Sequence, residues 1–307
     1  MHVEDLKITR EVNVVELLNM MGRAGGFMAT HMAEAFDILV DMLSEKRCLR
    51  ILSFTGNLVA TGLRGVLTDM LRRKLFDVVV TTCGALDHDI ARTFSYYEHG
   101  GFDVDDAELR NRGYHRLGNV FIKAENYGEL IENRMRDFLG KKKPEGRVAV
   151  YKLLWDLGSY INNQASFLYW CSRNKIPVIV PGIVDGAVGY QLWQFSQNED
   201  FILDIMQDEK LMSDLMWEAE KTGALIIGGG VSKHHVIWWS QFAGEGLDYA
   251  IYLTTADEYD GSLSGARPKE AISWRKISTK SRHIFVKGDA TVTLPLLYLA
   301  LLQKLKI

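Results

Sequence analysis

The six residues DVVVTT at 77–82 decide the fold. They are apolar and β-branched with almost no polar alternation, the pattern of a parallel strand covered on both faces. Similar short runs recur at Cys48–Phe54, 177–180, 224–227, 249–254 and 283–286. Longer stretches of helical spacing separate them. In 27–43, Met28, Met32, Ala35, Phe36 and Leu39 repeat at three- and four-residue intervals on one face. Residues 166–173, 192–217, 234–242 and 294–305 read as further helices. Strand and helix alternating in this way predict an α/β fold: a doubly wound, mostly parallel central sheet with helices on both faces.

The chain has 307 residues, the length of one large domain or two modest ones. Apolar residues at 47% and charged residues at 24% exclude a disordered chain. Lys and Arg number 36 against 39 Asp and Glu, so no basic excess marks a nucleic-acid binder. The apolar run at 294–302 falls short of the roughly 20 residues that span a bilayer. Charges within the first six residues are unlike a signal peptide, so we expect a cytoplasmic protein with no membrane attachment. Cys48, Cys83 and Cys171 are odd in number and widely spaced, which predicts free thiols and no metal site. The one linker-like stretch, 140–146, reads as a solvated loop between two halves with similar strands. One continuous sheet and two domains both fit that pattern.

Ligands of doubly wound sheets sit beyond the carboxyl ends of strands. Here those positions hold Thr55, Gly56 and Asn57; Cys83 and Gly84; Gly182 and Asp185; Gly228, Gly229 and Gly230; Thr255 and Ala256; and Gly288 and Asp289. Glycine lets a ligand approach the backbone, and helix N-termini favour phosphate. Each turn alone reads equally as ordinary βα turn chemistry. None matches G-x-G-x-x-G or the P-loop. After the triple glycine come Lys233, His234 and His235. Adjacent histidines on a helix point about 100° apart and cannot share a metal as an i, i+4 pair does. One of them suits a general base, or a helix-start histidine satisfied by backbone. The polar stretch 258–276 is long for a connection and ends in Trp274, Arg275 and Lys276. A neutral lysine is the nucleophile that forms imines, although most lysines simply face solvent.

The runs GALDHDIART, GFDVDDAELRNRGYHRLGNVFI, IIGGGVSKHH, TTADEYDGSLSGARPKEAISWRKI and GDATVTLPLL together resemble the deoxyhypusine synthase family, its archaeal members especially. The resemblance runs from about residue 10 to the end, and GARP-x-EA-x-SW-x-K is its most specific part. It implies a Rossmann-like, NAD-binding domain over 1–307. The implied reaction oxidises spermidine with NAD, holds its aminobutyl group as a lysine imine, and passes it to one lysine of initiation factor 5A. The imine-forming lysine would be Lys276 and the proton acceptor His234. Amine contacts would fall on Asp87, His88, Tyr190, Gly261, Ser262, Glu270 and Trp274. NAD contacts would fall on Gly56, Asn57, Leu58, Val59 and Ala60; on Thr82, Cys83, Gly84 and Asp185; and on Gly229, Thr255, Ala256, Asp289 and Ala290. The family also implies a homotetramer with active sites at subunit interfaces.

The chain departs from the family in places. Tyr190 and Leu263 stand where eukaryotic members carry acids that contact spermidine. His88 replaces a glutamate, Gly56 and Ala60 replace serines, and Arg275 stands where glycine is usual. A tyrosine accepts a hydrogen bond without charge and a leucine does neither. Two rival expectations follow. One is a related transferase with another amine donor or acceptor, homospermidine-forming or agmatine-using. The other is an inactive regulatory paralogue, against which the retention of Lys276, Trp274, Glu270 and His234 counts.

Overall fold

The computed structural model describes residues 2–306. The chain gathers into two compact units built from interleaved segments. The first comprises Met1–Phe54, Leu75–Val80 and Leu211–Ile307; the second comprises Thr55–Lys74 and Thr81–Lys210.

Parallel strands form the centre of the first unit. Five of them are adjacent in the order Ile277–Lys287, Leu247–Thr254, Lys221–Ile227, Cys48–Phe54 and Val78–Val80, every neighbouring pair parallel. Ile51 lies between Val78 and Ala224. These strands lack alternation because helices cover both faces, and one register shows it. A Cβ on Gly223 would strike Met42 of helix Phe27–Ser44, so that face meets this helix. Tyr249 pairs with Gly223 and shares its face. Tyr252, three residues on, points the other way. There Lys233 of helix Gly230–Ser240 stands over its ring, 4.4 Å from the centroid. The strand that follows Cys48–Phe54 in sequence lies on one side of it, and Lys221–Ile227 on the other. That reversal is a topological switch point, where the carboxyl ends of strands open a crevice.

The second unit is mainly helical. It holds a three-stranded antiparallel sheet in the order Glu98–His99, Val120–Lys123, Tyr114–Leu117, and a parallel pair, Gly146–Val148 with Phe201–Leu203. The short strand Val178–Ile179, expected from 177–180, belongs here. Inside the unit a buried carboxylate organises three segments. Arg64 Nε donates to Asp89 Oδ1 at 2.7 Å, while Ser166 Oγ and Leu168 N donate to Oδ2 at 2.6 and 3.2 Å.

Two expectations change. Residues 192–217 are not one helix. Helix Ala187–Ser196 ends at the polar run QNED, Phe201–Leu203 pairs as a strand, and helix Ile205–Glu218 follows. Apolar spacing continues across the break, which is why periodicity misses it. Residues 140–146 do not divide the units. They lie inside the second, where Lys143 (φ 45°) ends helix Gly128–Lys142 and Gly146 (φ 64°) opens a strand.

Candidate active site

The stretch 258–276 is partly helical, and its helix delivers Lys276. Pro268 opens the short helix Pro268–Ser273; its fixed φ suits a first helical position, whose N–H has no intrahelical partner anyway. The helix closes with a Schellman motif. Lys276 N donates to Ala271 O and Arg275 N donates to Ile272 O, both at 3.0 Å. That motif needs a left-handed residue, and Arg275 supplies it at φ 56°. The reversal hands Lys276 to the start of strand Ile277–Lys287. Its carbonyl then accepts from Leu247 N at 3.1 Å and from Ser240 Oγ at 2.7 Å. Three hydrogen bonds from three elements thus hold the Lys276 backbone.

The side chain enters a cavity of about 450 Å³ that lies wholly in the first unit. Helix Gly230–Ser240 and the turn after it form one wall, with His234, Ile237, Trp238 and Gln241 at helical spacing. Leu263, Glu270 and Trp274 form another part of the lining. The Lys276 ammonium lies 5.4 Å from the Trp274 ring centroid and 5.9 Å from that of Trp238. His234 stacks on Trp238 at 6.2 Å and 28°. Partial burial and the neighbouring Lys276 charge lower the His234 pKa. A lowered pKa keeps the imidazole neutral at pH 7 and able to accept a proton. His235, the adjacent residue, is buried against Trp239, and burial brings it down to about 4.

Lys233 also lines the cavity and is almost fully buried. Its ammonium donates to Ala266 O at 2.7 Å and Ser264 O at 3.4 Å. Burial brings it down to about 8, against the pull of the Glu270 carboxylate. Ser264 Oγ accepts from Gly230 N at 3.0 Å. A Cβ on Gly229 would strike that serine at 2.3–2.7 Å. Glycine at 229 therefore serves the close approach of this segment. Gly261 (φ 73°) and Ser262 form the exposed turn before Leu263. Sequence reading missed Trp238 and Lys233 as cavity residues. The signal was present: Trp238 is four residues after His234 and so one turn along the same face.

The remaining first-unit candidates sit at strand ends. Thr255 and Ala256 follow Leu247–Thr254, where Ala256 N donates to Thr254 Oγ1 at 3.1 Å. Asp289 caps helix Ala290–Leu305 by accepting from Thr291 N at 2.9 Å. In the second unit two predicted loops meet. Gly56 N donates to Thr82 Oγ1 at 3.1 Å, and a Cβ on Gly56 would strike the Gly84–Ala85 backbone at 2.7 Å. Leu58, Val59 and Ala60 are buried beside them and Asn57 is exposed. Burial, then Asp87, pushes the Cys83 thiol up to about 12, so it is not a thiolate.

Asp87 has structural work in this unit. It accepts from Ala187 N and Val188 N, both at 2.9 Å, and from Tyr127 OH at 3.1 Å, capping helix Ala187–Ser196. Burial raises its pKa against those donors. His88 Nδ1 lies 2.9 Å from Tyr97 OH, and burial lowers its pKa to about 4. Asp185 is exposed. Tyr190 lines an open groove of about 540 Å³ with Arg136 and Trp193. Among the described residues, no cluster of His, Cys, Asp and Glu could hold a metal ion.

The family model of deoxyhypusine synthase matches residues 16–301. Relatives named probable deoxyhypusine synthase from Picrophilus torridus and Sulfolobus acidocaldarius are 48% and 49% identical. The matches cover 96% and 98% of this chain and 95% and 97% of theirs. A solved structure from Entamoeba histolytica, assigned as a deoxyhypusine synthase, shares the fold with a TM-score of 0.65 at 19% identity, over 97% of this chain and 96% of its own. The LOR/SDH protein of Methanococcus maripaludis shares it more loosely, at TM-score 0.53 and 14% identity, over 99% of this chain and 74% of its own. With the family model spanning nearly its whole length and archaeal relatives close to half identical, the chain belongs to the deoxyhypusine synthase family.

Proposed function

We propose that the chain transfers the aminobutyl group of spermidine, in an NAD-dependent reaction through an imine on Lys276, to one lysine of initiation factor 5A. Its family makes it an enzyme of the transferase class. The observation that carries the finer reading is Lys276: a lysine with its backbone held by three hydrogen bonds and its amine beside two indoles. An imine-forming lysine needs a fixed position from which its nitrogen can reach the donor carbon. His234, which lines the same cavity and whose pKa is lowered by burial and by the Lys276 charge, would take the proton released when the amine attacks. Glu270 suits one nitrogen of a polycation, and Trp274 its methylene stem and charge.

When bound, NAD supplies the oxidation that makes the donor carbon electrophilic and the reduction that closes the cycle. The residues that would hold it fit its chemistry. The helix start at Cys83, which no side chain caps, presents backbone N–H groups of the kind that bind phosphate. Asp185, exposed in the same unit, would supply a carboxylate for a ribose hydroxyl. The Lys276 nitrogen adds to the oxidised donor carbon, and 1,3-diaminopropane leaves with the transferred proton. The acceptor lysine then displaces Lys276, restoring the free amine. The same reading carries a cytoplasmic homotetramer with active sites at subunit interfaces. Among the described residues, no helix is long and apolar enough to cross a membrane.

The test is incubation with NAD and spermidine, borohydride trapping and mass spectrometry. An aminobutyl adduct on Lys276 is expected, and Lys276→Arg should abolish both adduct and transfer. Full transfer by Lys276→Arg sinks the proposal. One observation favours a second reading with a different amine: Glu270 is the carboxylate among the described lining residues, and Leu263 beside it is uncharged. Turnover of agmatine or putrescine above that of spermidine would select it.

A further inference from the structure

Trp238 stands outside every motif that the sequence singles out, yet it is the second aromatic wall at Lys276. It lies one turn after His234 on helix Gly230–Ser240, and the two rings stack. Phe242, four residues later, meets its edge at 6.3 Å and 80°. These contacts hold the indole plane from both ends, while the ring stays 46% exposed. The Lys276 nitrogen lies within cation–π range of this ring and of Trp274 together. The cavity therefore contains one position where a cation is favoured by two indole faces, with the Glu270 carboxylate in the same lining. Lys276 must give up its charge to attack, and the same indole faces are then free to attract an ammonium of the donor lying beside it. Two indoles and one carboxylate suit a linear amine with two or more cationic nitrogens: one nitrogen on the acid, the next against the rings.

We infer that Trp238 is a specificity-determining residue of the amine site, whose indole works with Trp274 to hold an ammonium of the donor and so favours di- and polyamines over monoamines. The inference rests on the reading of Lys276 as the imine-forming residue.

The experiment is calorimetric titration of spermidine and of butylamine, with and without NAD, into the wild-type protein, Trp238→Phe and Trp238→Leu. Steady-state kinetics and borohydride trapping follow on the same proteins. Spermidine affinity should fall about threefold in Trp238→Phe and about tenfold or more in Trp238→Leu, with butylamine changed less. KM should rise by the same factors and kcat stay within about twofold. Unchanged spermidine affinity in Trp238→Leu overturns the inference, as does equal weakening of spermidine and butylamine, which would mean packing alone. Failure of spermidine to bind the wild-type protein under either condition also overturns it. Trp238→Phe keeps the test open if Trp238→Leu does not fold. Wild-type binding with the graded loss but no Lys276 adduct would instead count against the proposed function. Adduct formation with no graded loss counts against Trp238 alone.

Discussion

Arg275 shows how much one backbone angle decides at this site. Its φ of 56° is the left-handed conformation that the Schellman motif demands at its second position beyond the helix. For a residue with a Cβ that conformation costs about 1–2 kcal/mol, offset in part by the entropy a glycine would lose on folding. Arg275→Gly should therefore stabilise the protein by about 0.5–1 kcal/mol, with the Lys276 adduct preserved. Thermal melting with adduct yield checks it, and a lower melting temperature would mean that the Arg275 side chain has an unrecognised partner. The strangeness of Arg275 was legible as a departure from a motif; its left-handed geometry was not. The two adjacent histidines tell the same story. Their spacing put them on different faces of a helix, and only the family resemblance pointed to His234 rather than His235. Burial separates them in the structure, leaving His234 exposed and His235 covered.

At the scale of elements, the start of strand Ile277–Lys287 is held from several directions. Gly246 has φ 100°, and a Cβ there would lie 2.7 Å from the Lys276 carbonyl carbon and 2.8 Å from Ile277 N. Both groups are backbone and cannot swing away. Gly246→Ala should cost about 1–3 kcal/mol and lower the adduct yield, because Lys276 must shift. Gly244 is the control: its φ is 55° but a Cβ there would meet open space. Gly244→Ala should lower the melting temperature without changing the adduct yield. Equal adduct loss in both variants would show that Gly246 does not position Lys276. The strands themselves were readable, because a strand covered on both faces must be apolar throughout. The break between helices Ala187–Ser196 and Ile205–Glu218 was not, since a pairing strand can continue a helical apolar spacing by chance.

Across the whole molecule, stability should carry a pH signature from Asp208. Its carboxylate is buried and accepts from Tyr151 N at 3.2 and 3.3 Å, at the start of helix Val150–Ile161. Burial raises it to about 7 despite those donors. An acid whose folded pKa lies above its unfolded value stabilises most below the unfolded value, near 3.8. That contribution falls as pH rises through 7. The wild-type protein should thus lose on the order of 2–4 kcal/mol from this group between pH 4 and pH 8, and Asp208→Asn should lose far less. Denaturation at pH 5 and pH 8 reads the difference; parallel losses in both proteins would contradict it. Breaking the buried Arg64–Asp89 pair with Asp89→Ala should cost about 3–5 kcal/mol at either pH, because Arg64 is left buried and unpaired. By itself the sequence determined the parallel sheet and the family, and singled out Lys276 as the candidate nucleophile, since two-face burial and a dense motif leave marks in residue order. Only the tertiary structure decided the interleaved units, the capping role of Asp87, the buried Lys233 and the second indole at Lys276. Each of these joins residues far apart in sequence, and a contact of that kind leaves no local pattern to read.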